Sequence, residues 1–133
     1  MAYSENQEVT LAALVSCAAT GDKGSFTFPS GGVIRRIGIS YHTEPTGAGV
    51  VKFDKTNTAG TRGDGDVDVL NIAAAHDIGD LVYKDINVTV SAGETVTAEV
   101  TSAATGATLT SIFLVYSPSW KTPAEDTRFN LTT

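Results

Sequence analysis

Ile86-Asn87-Val88-Thr89-Val90-Ser91-Ala92-Gly93-Glu94-Thr95-Val96-Thr97-Ala98-Glu99-Val100-Thr101 is the stretch that decides the fold. Ile86, Val88 and Val90 alternate with Asn87 and Thr89, and Val96, Ala98 and Val100 alternate with Thr95, Thr97, Glu99 and Thr101. Successive side chains of a strand point to opposite faces, so a period of two marks a half-buried strand. Between the runs lies Ser91-Ala92-Gly93-Glu94, in which Gly93 supplies a permissive φ. The pattern predicts two strands joined as a hairpin by a four-residue turn.

The same period extends in both directions. Downstream, the small-residue loop Ala103-Ala104-Thr105-Gly106 leads to a last strand over roughly 108–116. There Ile112, Phe113, Leu114, Val115 and Tyr116 are apolar on both faces. Such a strand is central between covering layers, or its outer face meets another subunit. Upstream, Val9, Leu11, Ala13, Val15 and Cys17 share a face, and Phe26 and Phe28 alternate with Ser25 and Thr27. Val33, Ile37, Ile39 and Tyr41 are assigned to one face, opposite Arg36, Gly38, Ser40 and His42, and Val51 and Phe53 suggest a further short strand. Leu70 to His76 carries helix-forming alanines, which allows one short helix or a turn. Arg35 and Arg36 are expected on opposite faces of their strand.

The sum is an all-β chain, an antiparallel β-sandwich or jelly roll of seven or eight short strands. A chain of 133 residues buries roughly two thirds of its unfolded surface and can hold a core without staples. Residues 1–8 form a polar N-terminal arm, 9–117 the sandwich, and 118–133 an extended tail with Pro118 and Pro123 but no strand pattern. The tail carries Trp120, Phe129 and Leu131. Large apolar groups on such a tail dock either on their own domain or on a neighbour.

Composition excludes several functions. The net charge of −6 leaves no basic cluster to neutralise phosphates, so no nucleic-acid partner is expected. Residues 1–8 offer no basic region feeding an apolar run, and no stretch is long enough for a membrane span, so neither a signal peptide nor a membrane partner is expected. One cysteine, Cys17, rules out an intrachain disulfide and reads as a small buried hydrophobe.

Catalytic signatures are missing from the sequence. His42 and His76 are far apart, and the adjacency of His76 and Asp77 does not constrain their geometry. No enzyme activity and no cofactor are expected. Asp64, Asp66 and Asp68 alternate as in a calcium loop, but Val69 and Ala75 stand where an EF-hand needs Gly and Glu. They read as a strand start with acids facing solvent and Val67 and Val69 facing in, and calcium between subunits is the weaker alternative. Arg62-Gly63-Asp64 matches an integrin-type tripeptide and reads as a turn.

The second half resembles a known family. Leu81-Val82-Tyr83-Lys84-Asp85-Ile86-Asn87-Val88-Thr89-Val90-Ser91-Ala92-Gly93-Glu94-Thr95-Val96, continued by Ala98 to Ala103 and Ile112 to Tyr116, is similar to the small β-sandwich decoration, or cement, proteins of tailed-bacteriophage capsids. The resemblance implies a non-enzymatic protein, made in the host cytoplasm, on the outer surface of a phage head. Its partners would be the major capsid protein and itself, as a dimer or trimer, and it would brace neighbouring capsomers. Tyr3, Phe113, Val115, Trp120, Phe129 and Leu131 are the candidate partner-binding residues. Two other readings compete: a carbohydrate- or receptor-binding module of a phage tail or secreted protein, and a jelly-roll shell subunit. The scattered aromatics speak against the first, and the absence of Lys or Arg in residues 1–8 against the second.

Overall fold

The alternating sequence becomes eight strands: β1 (Val9–Val15), β2 (Gly21–Thr27), β3 (Gly32–Tyr41), β4 (Gly49–Thr56), β5 (Asp68–Ile72), β6 (Leu81–Val90), β7 (Thr95–Ser102) and β8 (Thr110–Pro118). The structure is a computed structural model and describes residues 8–74 and 76–119. No helix occurs among the described residues. β8 continues one residue past the expected boundary at 117 and ends in buried Ser117 and Pro118.

Two four-stranded sheets form, in the orders β1-β8-β3-β6 and β2-β7-β4-β5. β1 pairs with β8, β2 with β7, β3 with β6 and β4 with β5, all antiparallel. The chain is therefore one long hairpin, turned at the β4–β5 loop and rolled up. The β3–β8 and β4–β7 pairings close the roll. This strand order is the eight-stranded jelly roll, which settles the expected fold class as an all-β sandwich of that type.

Rolling changes the partners of the decisive stretch. β6 and β7 are consecutive but lie in different sheets, so residues 86–101 are not a hairpin. Ser91 to Glu94 is a corner between the sheets, with Gly93 at φ 87°. Glu94 N–H bonds Ser91 O, while Gly93 N–H bonds Phe28 O and Phe28 N–H bonds Glu94 O. The corner is tied to the end of β2, prolonging the β2–β7 ladder of the sheet the chain is entering. Val90 and Val96 flank it and are both buried, so each strand delivers its apolar face to one shared core.

Two other expectations change. Leu70 and Ile72 are buried with Asn71 exposed between them, so this segment is strand β5 and not a helix. In β3 the inward residue is Ile34, not Val33. The register with β8 shifts between Ile34 and Arg36, where two β3 residues face Val115. This β-bulge inserts one residue and re-aims the side chains after it. Arg35 and Arg36 consequently share the outer face.

The core lies between the sheets. Tyr41, Phe28, Phe53, Ile34, Ile37, Ile39, Leu70, Ile72, Ile112 and Leu114 are all but fully buried there. Each such side chain contributes about 1.5–3 kcal/mol relative to an exposed one. The Phe28 and Tyr116 rings meet at 4.8 Å, tilted by 53°. Tyr116 keeps its hydroxyl satisfied by donating to Ser30 O at 2.5 Å. β8 is an inner strand of its sheet, with Ile112, Leu114 and Tyr116 inward and Phe113 and Val115 half-buried on the outer face, over which no second layer lies among the described residues.

Candidate functional site

The outer face of β1-β8-β3-β6 is built by the residues that alternate with the core. The strand registers arrange them in rows across the sheet. One row runs Leu14, Ser111, Ser40, Leu81. The next runs Ala12, Phe113, Gly38, Tyr83, and the third runs Thr10, Val115, Arg36, Asp85. Leu14 is 66% exposed, Leu81 51% and Tyr83 47%. These are the largest side chains at the two flanks of the sheet, and they stand open to solvent.

The middle of the face is low. Gly38 lies directly beneath the Phe113 ring, where a Cβ would collide with the ring carbons. The glycine thus lets Phe113 lie flat, half-buried, across its neighbour strand. Ser40 and Ser111 complete a floor of small groups between Leu14 and Leu81. The result is a broad, shallow apolar surface with raised edges.

Charge is confined to the far end. Arg36 sits over the Tyr83 ring, 4.1 Å from its centroid, and bonds Asp85 at 2.6 Å. That bond pushes the Arg36 pKa up. Arg35, brought to the same face by the bulge, donates to Asn87 at 2.7 Å and Ser117 at 3.4 Å. With Glu8 and Val115 these groups line a shallow depression. Arg36 is already paired with Asp85, and Glu8 adds a second carboxylate to the lining, which argues against an anion site.

The other outer face has the opposite character. Lys52, Asp54 and Glu99 project from β4 and β7, and the β4–β5 loop folds back over them. Arg62 of that loop donates from both terminal nitrogens to Asp22, at 2.9 and 2.8 Å. It also donates to Asp54 from Nε and Nη2, at 3.0 and 2.9 Å. Glu99 lies at 3.4 Å. Asp54 is buried, and its second oxygen accepts the Gly65 N–H. Arg62 holds the Asp22 carboxyl below the usual carboxylate range and is itself pushed upward. The Arg-Gly-Asp tripeptide lies in the β4–β5 loop just after the turn at 57–60, with Arg62 bridged to Thr56, and its arginine closes the loop instead of reaching out.

The other sequence candidates are placed as follows. Phe113 and Val115 lie side by side on the apolar face. Tyr3, Trp120, Phe129 and Leu131 lie outside the described residues. Asp64, Asp66 and Asp68 are not brought together. Asp64 pairs with Lys52 at 3.0 Å, Asp66 accepts the Lys55 N–H at 2.9 Å, and Asp68 pairs with Lys84 at 3.2 Å. Among the described residues, no group of acids, histidines or cysteines is placed to hold a metal ion. Val67 is buried as expected, but Leu70 and Ile72 hold the inward phase of β5. Val69, opposite Lys52, therefore faces outward and Asp68, opposite Phe53, takes the inward phase, so the strand-start reading is met at Val67 only.

Cys17 is buried, its thiol pushed up by desolvation, and it meets the Thr110 hydroxyl at 3.2 Å rather than a histidine. His76 stacks on Tyr41 at 4.9 Å and pairs with Asp80 at 3.2 Å, and His42 is exposed. The sequence reasoning missed Leu14, Leu81, Tyr83 and Arg36. Leu14 is an apolar residue on the wrong phase of its strand, and Leu81 and Tyr83 repeat that anomaly in β6. That was the available signal.

No family model matches this chain, and no curated protein matches it. Among solved structures, one similar chain belongs to the "Structure of infectious bursal disease virus Gx strain". It has a TM-score of 0.40 and 12% identity, over 90% of this chain and 32% of that chain. A chain in the "Structure of infectious bursal disease virus Gt strain" gives a TM-score of 0.35 and 11% identity, over 84% and 31%. This chain spans about a third of the length of those chains.

Proposed function

We propose that this chain is a structural protein of a virus particle, a decoration or cement protein that binds the outside of a phage head and braces neighbouring capsomers. The observation that carries the reading is the open apolar face on β1-β8-β3-β6. A sheet that, among the described residues, leaves Leu14, Leu81 and Tyr83 exposed and Phe113 half-buried on one face is a surface for protein–protein contact, as an assembling structural protein requires. Three further features support it. The jelly roll is an architecture shared by capsid and lectin domains. The net charge of −6 suits an outer surface better than one facing nucleic acid. The sequence over Leu81–Val96 resembles the decoration family. On this reading the protein is not an enzyme, works without a cofactor, and has the major capsid protein as its partner.

The strand order favours one second reading, a jelly-roll shell subunit. Such a chain would close into shells by itself.

The test is immunogold labelling of intact particles from the source lysate, with antibody raised against the purified chain. Even labelling over the heads is expected. Labelling of tails or fibres would replace the proposal with a receptor-binding module, and unlabelled particles would end it. Closed shells formed by the purified chain alone would favour the shell subunit.

A further inference from the structure

We infer that the apolar outer face of β1-β8-β3-β6 is a self-interface, on which a second copy of this chain packs face to face about a two-fold axis running along the strands. The inference rests on the reading of this face as a contact surface, and it commits to the occupant.

The rows supply the argument. A two-fold axis along the strands exchanges β1 with β6 and β8 with β3, and keeps each row opposite itself. Leu14 then meets Leu81 of the second copy, Ala12 meets Tyr83, and Phe113 lies against the low ground at Gly38. Ser111 meets Ser40. At the far end Thr10 meets Asp85, and Val115 meets the Arg36 side chain. Large groups face small ones, leucine faces leucine, and no like charges are opposed. An axis across the strands would exchange the first and third rows instead. It would press Leu81 onto Asp85 and bury the Arg36–Asp85 ion pair against hydrocarbon twice over, which costs desolvation. The axis along the strands also gives aligned packing, in which facing sheets keep their strands within about 30°.

Size and anatomy agree. Four strands about 4.8 Å apart and about eight residues long, at about 3.3 Å per residue, offer roughly 500 Å² in projection. Two copies bury about 1,000 Å², near the lower bound for a specific interface. The apolar rows form its centre, and Arg36, Asp85 and Thr10 form a polar rim. A closed two-fold contact uses the same patch on both copies, so it covers both apolar faces at once.

The test uses the full chain and two exposed positions, Leu14→Lys and Leu81→Asp, followed by sedimentation velocity over a concentration series. Circular dichroism checks that each variant keeps its β fold. The wild type is expected to be a dimer that dissociates on dilution. Each single variant should dimerise at least about tenfold more weakly, since it places an uncompensated charge against leucine. An equimolar mixture of the two should dimerise again, because the new lysine faces the new aspartate across the axis while Leu81 of one copy still meets Leu14 of the other. A wild type that stays monomeric or forms a trimer overturns the inference. So do single variants that dimerise like the wild type, or a mixture that gains nothing over its components. Particle labelling reads the proposed function separately. A monomer that labels heads sinks the self-interface alone, and a dimer that labels none sinks only the decoration role.

Discussion

The two outer faces of this sandwich solve the same problem in opposite ways. Each sheet hides one face in the core and must do something with the other. The β2-β7-β4-β5 face is polar and is closed by its own chain, with Arg62 gripping Asp22 and Asp54 beneath the β4–β5 loop. The β1-β8-β3-β6 face is apolar, and among the described residues nothing covers it. The first face is internally satisfied and gains little from a partner. The second keeps exposed the groups that water disfavours, so burial against a partner stabilises it. On the proposed reading, the difference separates a face built for folding from a face built for contact.

That contrast can be broken most forcefully at Arg62. Arg62→Met leaves buried Asp54 without its cation, which is expected to cost about 2–3 kcal/mol of stability. Urea unfolding measures it, and self-association should be unaffected. A loss below about 0.5 kcal/mol would mean that the polar face does not depend on its clamp.

A somewhat smaller effect is expected at Gly38. Gly38→Val drives the Phe113 ring off its neighbour strand, with an overpacking cost of about 1–3 kcal/mol. Here the contact face should suffer as well, because its low centre is filled. A variant that is destabilised yet associates normally would remove Gly38 from the account of the surface.

At the flanks the order of effects reverses. Leu14→Ser or Leu81→Ser is expected to shift folding stability by less than about 0.5 kcal/mol, because both side chains are exposed. Either should nonetheless weaken association, which makes folding and contact separable. A large stability loss would mean these leucines belong to the fold.

The smallest effect concerns acid. Arg62 depresses the folded-state pKa of Asp22, and the Asp77 N–H together with His76 depresses that of Asp80. A depressed carboxylate contributes stability that is fully present above its unfolded pKa, about 3.9, and is lost as pH falls through the lower folded value. Both groups are exposed and screened, so Tm should be flat down to about pH 5 and fall by a few degrees towards about pH 3. Arg62→Met should flatten part of that fall. An unchanged profile in the variant would exclude the Asp22 pairing as its source.

These faces were unevenly legible in the sequence. Period two shows which side chains share a face, and it placed Phe113 and Val115 opposite Ile112, Leu114 and Tyr116. It does not show which strand pairs with which. Gly93 and Glu94 make the same local turn whether the chain returns beside itself or crosses to the other sheet, so the corner passed for a hairpin. The choice is made by non-local pairings, β6 with β3 and β7 with β2 and β4. The bulge at Arg35 was hidden because Val33 and Ile34 are equally apolar, and either fits an inward position. The alanines after Ile72 masked the short alternation of Leu70, Asn71 and Ile72. The Arg62 cluster joins residues 40, 8 and 37 positions away, which no local pattern reveals. Leu14 and Leu81 were readable in principle, as apolar residues on the polar phase of their strands.

The most direct measurement of the central claim is hydroxyl-radical footprinting of the full chain across a dilution series. The account expects Leu14, Leu81, Tyr83 and Phe113 to become protected together as concentration rises, while residues on the Arg62 face keep a constant reactivity. Protection confined to the Arg62 face, or none on the apolar face at any concentration, would contradict it.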